Sequence, residues 1–392
     1  MDDPTKPLKI GFVFDDTLDA PDGVQQHIIM LGREYARRGC EVHYLVGETH
    51  DALSDPRFDF AHIHPLSRNV KVKFNSNRMR IPLPAPRKPI RELLGRERFD
   101  VLHVQAPYSP FMAGRVLHEV GRVSPSTCVF ATYHIAVDSA VAKAGGMVLG
   151  RVINARSARR IDRSLAVSRV AAAYAHDTAG VDATVVPNPI DVQTMRENAK
   201  GIRPQPHHVV FLGRFVERKG ANVLLDAIDW GERHGMFPDD LRVTMAGKGP
   251  LLDAARERAA SLHTPVRFLG AIPEEDKAAF LASGQVAVFP ATGAESFGIV
   301  LLEAIAAGSG VVLVGDNPGY RSTMMDNDDV LVDVTGAHRA EHLARAIAKA
   351  CTDDVWASRV HEWEQETLLG AYDVRNVAST LLSMYEAAKR GV

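Results

Sequence analysis

One pattern constrains this chain more than any other: a short apolar run, a turn and a helical pattern, repeated through two successive stretches. In the first stretch Lys9–Phe14, Val42–Val46, Asp100–Gln105, Thr127–His134 and Arg163–Ser168 read as buried strands. Helical patterns over Val24–Arg38, stopped by Gly39, and over Pro110–Val120 lie between them. The second stretch follows Val186–Asp191. There His208–Arg214, Leu241–Gly247, Val266–Gly270, Val286–Pro290 and Gly310–Gly315 read as strands, with helices at Asn222–His234 and Leu251–Ser261. Apolar strands alternating with helices specify parallel sheets covered on both faces. The expected fold class is α/β, with two doubly wound Rossmann-like domains facing across a cleft and ligands at the carboxyl ends of the strands.

Pro187-Asn188-Pro189 stiffens the chain and disfavours helix, as a connection between domains requires. The expected domains are 1–188 and 189–370, followed by a terminal helix over Ala371–Arg390. Val374, Val377, Leu381 and Leu382 fall on one face of that helix.

The formal net charge is −2, which gives no overall attraction to nucleic acid. Yet Arg68–Arg98 holds ten lysines and arginines against two glutamates, a local +8 that suits an anionic partner. Cys40, Cys128 and Cys351 are too far apart for a disulfide framework or a paired-cysteine zinc motif. His62 and His64 have ligand-like spacing, but no acidic residue or further histidine stands beside them, so no metal centre is expected. The first residues lack a signal-peptide pattern, and no run approaches the roughly 20 apolar residues of a membrane span. A cytoplasmic, soluble enzyme is expected.

The residues best suited to chemistry lie in the second stretch. Glu295 stands at the mouth of a helix expected to start near Phe297 and Glu303 two turns inside it, about 12 Å apart along the axis. The N–H groups of Ser296, Phe297, Gly298 and Ile299 would line its mouth, where phosphate binds and Gly298 permits close approach. Glu295 should face the cleft and be little used by the core. Arg214 and Lys219, at and just after the carboxyl end of the strand His208–Arg214, would neutralise a leaving diphosphate, with Gly213 beside them at the donor. In the first stretch, the loop before the first helix contains Gly23 and Gln25. His134 ends a strand where a polar side chain would face the cleft.

These residues resemble family-four retaining glycosyltransferases of the two-Rossmann-domain GT-B architecture. The likeness rests on GAESFGIVLLEAIAAG, FLGRFVERKG and VPNPID, in that family's order and spacing. PDGVQQHI, FDVLHVQAPYSP, ATYH and the basic stretch before Phe99 look most like the bacterial phosphatidylinositol mannosyltransferase subgroup. The resemblance implies a hexosyltransferase whose donor is a GDP- or UDP-linked sugar, without an obligatory metal or cofactor. It implies that Glu295 lies against the donor sugar, Glu303 bonds the ribose, and Arg214 and Lys219 grip the diphosphate beside Phe297, Gly298 and Ile299. Gly23 would lie near phosphate and His134 would line the sugar pocket, with the terminal helix crossing back onto the first domain. The acceptor would be lipid-linked, a polyol or a glycan. Gln25, Lys71, Lys73, Arg87, Lys88 and Arg91 are candidates for contact with it or with an anionic lipid at the inner face of the cell membrane.

Three departures stand out: Asp22 replaces the first of two glycines, Ala294 replaces a glycine before Glu295, and Pro86 and Pro89 argue against a continuous helix through the basic stretch. A non-hydrolysing nucleotide-sugar epimerase or a non-catalytic nucleotide-sugar binding protein would share the fold. The glutamate pair argues against the first, and the retained Glu295, Arg214 and Lys219 argue against the second.

Overall fold

The computed structural model describes residues 7–20, 22–74, 77–107, 109–135 and 158–390, with backbone alone for 71–74, 77–82 and 158. The chain divides into two compact units, Met1–Pro189 with Val374–Val392, and Ile190–Asp373.

The strands of the first unit are β1 (Lys9–Phe14), β2 (Glu41–Val46), β3 (Ala61–Pro65), β4 (Asn69–Phe74), β5 (Asn77–Pro82), β6 (Val101–Gln105), β7 (Cys128–Tyr133), β8 (Arg163–Ala166) and β9 (Thr184–Val185). Seven of them form a parallel sheet in the order β3-β2-β1-β6-β7-β8-β9, while β4 and β5 pair as a separate antiparallel hairpin. The second unit holds β10 (Gln205–Leu212), β11 (Arg242–Ala246), β12 (Val266–Gly270), β13 (Gly284–Phe289), β14 (Val311–Gly315) and β15 (Leu331–Val332). These form a parallel six-stranded sheet in the order β12-β11-β10-β13-β14-β15. In each sheet the order reverses beside the first strand of the unit, which opens a crevice at the carboxyl ends there. The α/β class with two doubly wound domains is thus the observed one.

The helix Gly23–Arg37 begins at Asp22, whose carboxylate accepts the N–H groups of Val24 and Gln25 at 2.7 and 2.8 Å. The aspartate that departs from the glycine pair is therefore an N-cap. Gly39, at φ +87°, ends this helix as expected. The terminal helix runs Val374–Arg390, and its buried Val374, Val377, Ala378, Leu381 and Tyr385 join the core of the first unit. Tyr385 OH meets His103 Nδ1 at 2.6 Å, and Lys389 pairs with Asp100 at 2.7 Å.

No continuous helix runs through the basic stretch, since β4 and β5 precede a helix over Arg87–Glu97 that starts after Pro86. Only Pro89 corrects an expectation there: it sits in the first turn of that helix, where a backbone N–H has no intrahelical partner to lose. Strand β3, the β4–β5 hairpin and the helix Arg169–Ala179 carried too little apolar periodicity to be expected. That last helix nevertheless has a serine cap, Ser168 Oγ accepting Ala171 N–H at 3.1 Å, and a stop at Gly180, φ +66°.

Candidate functional site

The second unit assembles its candidate residues from two loops. After β10, Phe215 is wholly buried and its N–H bonds Lys248 O at 2.9 Å, which fixes the path of the loop that carries Arg214. A single 3-10 turn over Glu217–Lys219 follows, and Gly220 at φ +71° starts the helix Ala221–Arg233. A side chain on Gly220 would run into Pro290 O, so both the conformation and the close approach require glycine. The second loop, after β13, is tied to the first by Thr292 N–H donating to Arg218 O at 2.9 Å.

Glu295 sits where these loops meet, with its side chain only 8% exposed. Lys219 Nζ pairs with its Oε1 at 2.7 Å, and Arg218 Nη1 bonds the same oxygen. This corrects the expectation of a cleft-facing glutamate little used by its surroundings: Glu295 is enclosed, and two cations depend on it for neutralisation. Burial lowers the Lys219 pKa, and the Glu295 carboxylate works against that shift. Burial, then repulsion from Arg218, lowers that of Arg214. Arg218 was missed because its sequence looks like one more loop charge. Its place beside Lys219 in a 3-10 turn was the available signal.

The backbone around Glu295 is strained and clamped. Ala294 adopts φ +55°, a left-handed conformation costing a non-glycine residue about 1 kcal/mol. This is the position where the resemblance leads one to expect glycine. Arg218 Nη1 bonds Ala294 O at 3.3 Å, Thr323 Oγ1 bonds Phe297 O at 2.6 Å, and Asn317 Nδ2 bonds Ala291 O at 3.0 Å. A Cβ on Gly319 would strike the Glu295 backbone carbonyl.

The helix begins two residues later than expected, at Ile299, because Gly298 at φ +91° caps it and a side chain there would meet the Tyr320 ring. The first-turn donors are therefore those of Ile299 and Val300, while Ser296 and Phe297 precede the helix. The Phe297 ring is buried against Tyr372, at 5.6 Å and 75°. Glu303 lies inside the helix Ile299–Ala307, where Lys277 Nζ pairs with it at 2.7 Å; burial raises its pKa and Lys277 opposes the shift.

In the first unit, His134 follows β7 and is 9% exposed. Its Nε2 meets Gln105 Oε1 at 2.8 Å, and the edge of its ring meets His27 at 5.0 Å and 84°. Burial holds His134 far below the usual histidine pKa, reinforced by His27 and His103. Burial pushes His27 down to about 4, offset in part by the amide of Asn188, which lies outside hydrogen-bonding geometry. His103, also buried, is lowered to about 3. Gln25 is held by Nε2 donating to Leu18 O at 2.8 Å, and a Cβ on Gly23 would meet nothing within 4 Å.

In the basic stretch Arg87 and Arg91 pair with the fully buried Glu119, at 3.6 and 2.6 Å, and Lys88 faces Glu92 at 3.9 Å. The side chains of Lys71 and Lys73 lie outside the described residues, but the backbone register sets Lys71 opposite Arg80 and Lys73 opposite Arg78. Beside His62 the expectation also changes. Pairing of β2 with β3 brings Glu41 and His43 next to it, neighbours that are distant in sequence.

Two family models match the chain: Glycosyltransferase Family 4 over residues 21–194 and Glycosyl transferases group 1 over residues 193–367. A phosphatidyl-myo-inositol mannosyltransferase of Mycobacterium tuberculosis is 31% identical over 386 residues, covering 97% of both chains. One from Propionibacterium freudenreichii is 28% identical, covering 97% of this chain and 95% of its own. Among solved structures, an Anabaena protein in complex with UDP superposes with a TM-score of 0.71 at 15% identity, covering 97% of this chain and all of its own. A glycosyltransferase from Rickettsia africae gives 0.70 at 13%, covering 97% and 98%.

The chain belongs to the family-four glycosyltransferases, in the group of the phosphatidyl-myo-inositol mannosyltransferases. It is a hexosyltransferase that uses a nucleotide sugar. Among the described residues no helix is long and apolar enough to cross a membrane.

The buried histidines make the first unit sensitive to acid. His27 has a folded pKa of about 4 against 6.5 when exposed, so the unfolded chain binds the proton first as pH falls. Its contribution is complete above the unfolded value and is lost progressively between 6.5 and about 4. Acidification from about pH 7 to about pH 5 should cost up to about 2 kcal/mol from His27 alone. Chemical denaturation at both pH values should show a shallower loss in His27→Phe than in the parent. Equal acid sensitivity in the two proteins would contradict this reading.

Proposed function

We propose that the chain is a retaining hexosyltransferase that binds its nucleotide-sugar donor in the second unit and passes the hexose to a hydroxyl of an acceptor at an anionic lipid surface. The observation that carries this reading is the enclosed cluster of Glu295, Lys219 and Arg218 beside the glycine-capped start of the helix Ile299–Ala307. Two cations and a helix start are what a diphosphate requires. In the resting protein Glu295 neutralises the cations. An arriving diphosphate takes over that task, and the carboxylate becomes available to the hexose as positive charge develops at the anomeric carbon. Arg214 joins Lys219 in holding the departing diphosphate, Glu303 holds the ribose, Gly23 lies near the donor phosphate, and His134 lines the sugar pocket.

Mannose is the favoured hexose, since relatives that cover 97% of this chain are named for mannosyl transfer; the carrier is GDP or UDP. A lipid-borne acceptor is favoured by those names and by the hairpin. The backbone register sets Lys71 opposite Arg80 and Lys73 opposite Arg78, four basic positions on one hairpin that suit an anionic surface.

The test measures transfer from GDP-mannose and from UDP-hexoses to phosphatidylinositol in anionic vesicles and to free inositol, with the anomeric configuration of the product read by NMR. Transfer with retention, fastest to the lipid, is expected. Inverted product would remove the retaining mechanism, and a preference for free polyol would remove the lipid surface. Glu295→Gln should slow transfer at least about tenfold, about 1.4 kcal/mol, while nucleoside-diphosphate affinity holds or rises because the competitor for Lys219 is weakened. Near-parental transfer together with weaker diphosphate binding would make Glu295 a structural counter-ion only.

A further inference from the structure

At the edge of the seven-stranded sheet, the parallel register of β2 and β3 sets His43 directly opposite His62 and Leu45 opposite His64. Strand alternation then puts Glu41, His43, His62 and His64 on one face. One ligand atom from each of Glu41, His43 and His62 lies within 4.8 Å of the other two. His43 is nearly inaccessible and firmly oriented, with the Phe99 ring edge-on at 5.1 Å and His62 and His64 rings at 4.7 and 5.2 Å. Its Nδ1 meets His64 Nε2 at 2.9 Å, and its Nε2 meets Glu41 Oε1 at 2.9 Å. Glu41 and His62 are exposed, so an ion in solution can reach the cluster.

We propose that Glu41, His43 and His62 form a binding site for a divalent transition-metal ion of the zinc class, with His64 orienting the His43 ring. Two imidazoles and a carboxylate suit zinc, leaving a fourth position for water. Donors about 2.0–2.2 Å from zinc lie roughly 3.3–3.5 Å apart in a tetrahedron, so the wider separations must close by about 1.5 Å at most while the Glu41–His43 pair opens slightly. The two exposed side chains can move that far by rotation about their own bonds. A carboxylate only accepts, so without the ion His43 carries its proton on Nε2 and its Nδ1 accepts from His64 Nε2–H. The ion takes the Nε2 lone pair. The His43 proton then resides on Nδ1 and donates to His64 Nε2, whose own proton shifts to its Nδ1. Both rings stay neutral and no proton is lost. Such an outer hydrogen bond to a ligating histidine fixes its tautomer and orientation.

Lys9 is the competing cation. It pairs with Glu41 at 2.8 Å and with Glu97 at 3.2 Å, so Glu41 can turn to the metal while Lys9 keeps Glu97. Glu41 begins β2 and His62 is the second residue of β3, so the site lies toward the amino ends of the strands. Ligands of this fold bind at the opposite, carboxyl edge. Its effect is structural: it clips the edge strand β3 to its neighbour.

The test uses the full-length, tag-free protein, stripped with a chelator and titrated with zinc by calorimetry, with cobalt(II) absorption as a second probe of geometry. One equivalent of zinc should bind, raise the melting temperature and leave the rate of sugar transfer unchanged, and excess magnesium or calcium should not displace it. His62→Ala and Glu41→Gln should each weaken zinc at least tenfold without changing the melting temperature of the stripped protein, and His64→Ala should weaken it about 10–100-fold. The exposed His62 carries the test, since loss of the buried His43 could unfold the sheet edge. Absence of stoichiometric binding, or unchanged affinity in His62→Ala, would overturn the proposal.

Discussion

The second unit is organised around one enclosed carboxylate. Glu295 meets Lys219 at 2.7 Å and also bonds Arg218, and its side chain is 8% exposed. An enclosed charge survives only when partnered, and leaving one partner bare costs several kcal/mol. The surrounding backbone serves that requirement. Gly220 and Gly319 allow the two loops to approach, Ala294 accepts a left-handed conformation, and Asn317 and Thr323 hold the loop carbonyls. Such a cluster is rigid yet can exchange partners, because a diphosphate offers the same cations equivalent acceptors.

The first unit stores its polar groups differently. His27, His103 and His134 are all buried and all kept neutral, and the terminal helix reaches this group through Tyr385 on His103. Because Gln105 bonds both His134 Nε2 and His103 O, the strand-end histidine is positioned by a chain of contacts leading back to that helix. Kept neutral, the three imidazoles can donate and accept hydrogen bonds without bringing charge into the core.

Much of this was legible in the sequence. The buried strands announced themselves as continuous apolar runs, and β1 was expected at the bounds it has. Edge strand β3 was not legible, because two of its five residues are histidines and its apolar run is short; with it went the neighbours of His62. Glu295 and Lys219 stood out by residue type and spacing. That they bond each other did not, since the contact spans two loops far apart in sequence. Likewise Arg87 and Arg91 were read as candidates for an acceptor or lipid, and nothing in the sequence signalled that Glu119, from a different helix, partners both. Proline in a first helical turn was misread as a breaker, because the helix start could not be located from periodicity alone.

The central claim is that a donor diphosphate displaces Glu295 from its cations. A crystal structure of the protein with nucleoside diphosphate bound tests it most directly. The account predicts phosphate oxygens on Lys219 and Arg218, with Arg214 joining them, beside the start of the helix Ile299–Ala307, and the Lys219–Glu295 contact opened beyond hydrogen-bonding distance. A nucleotide bound elsewhere, with that contact still at 2.7 Å, would contradict it.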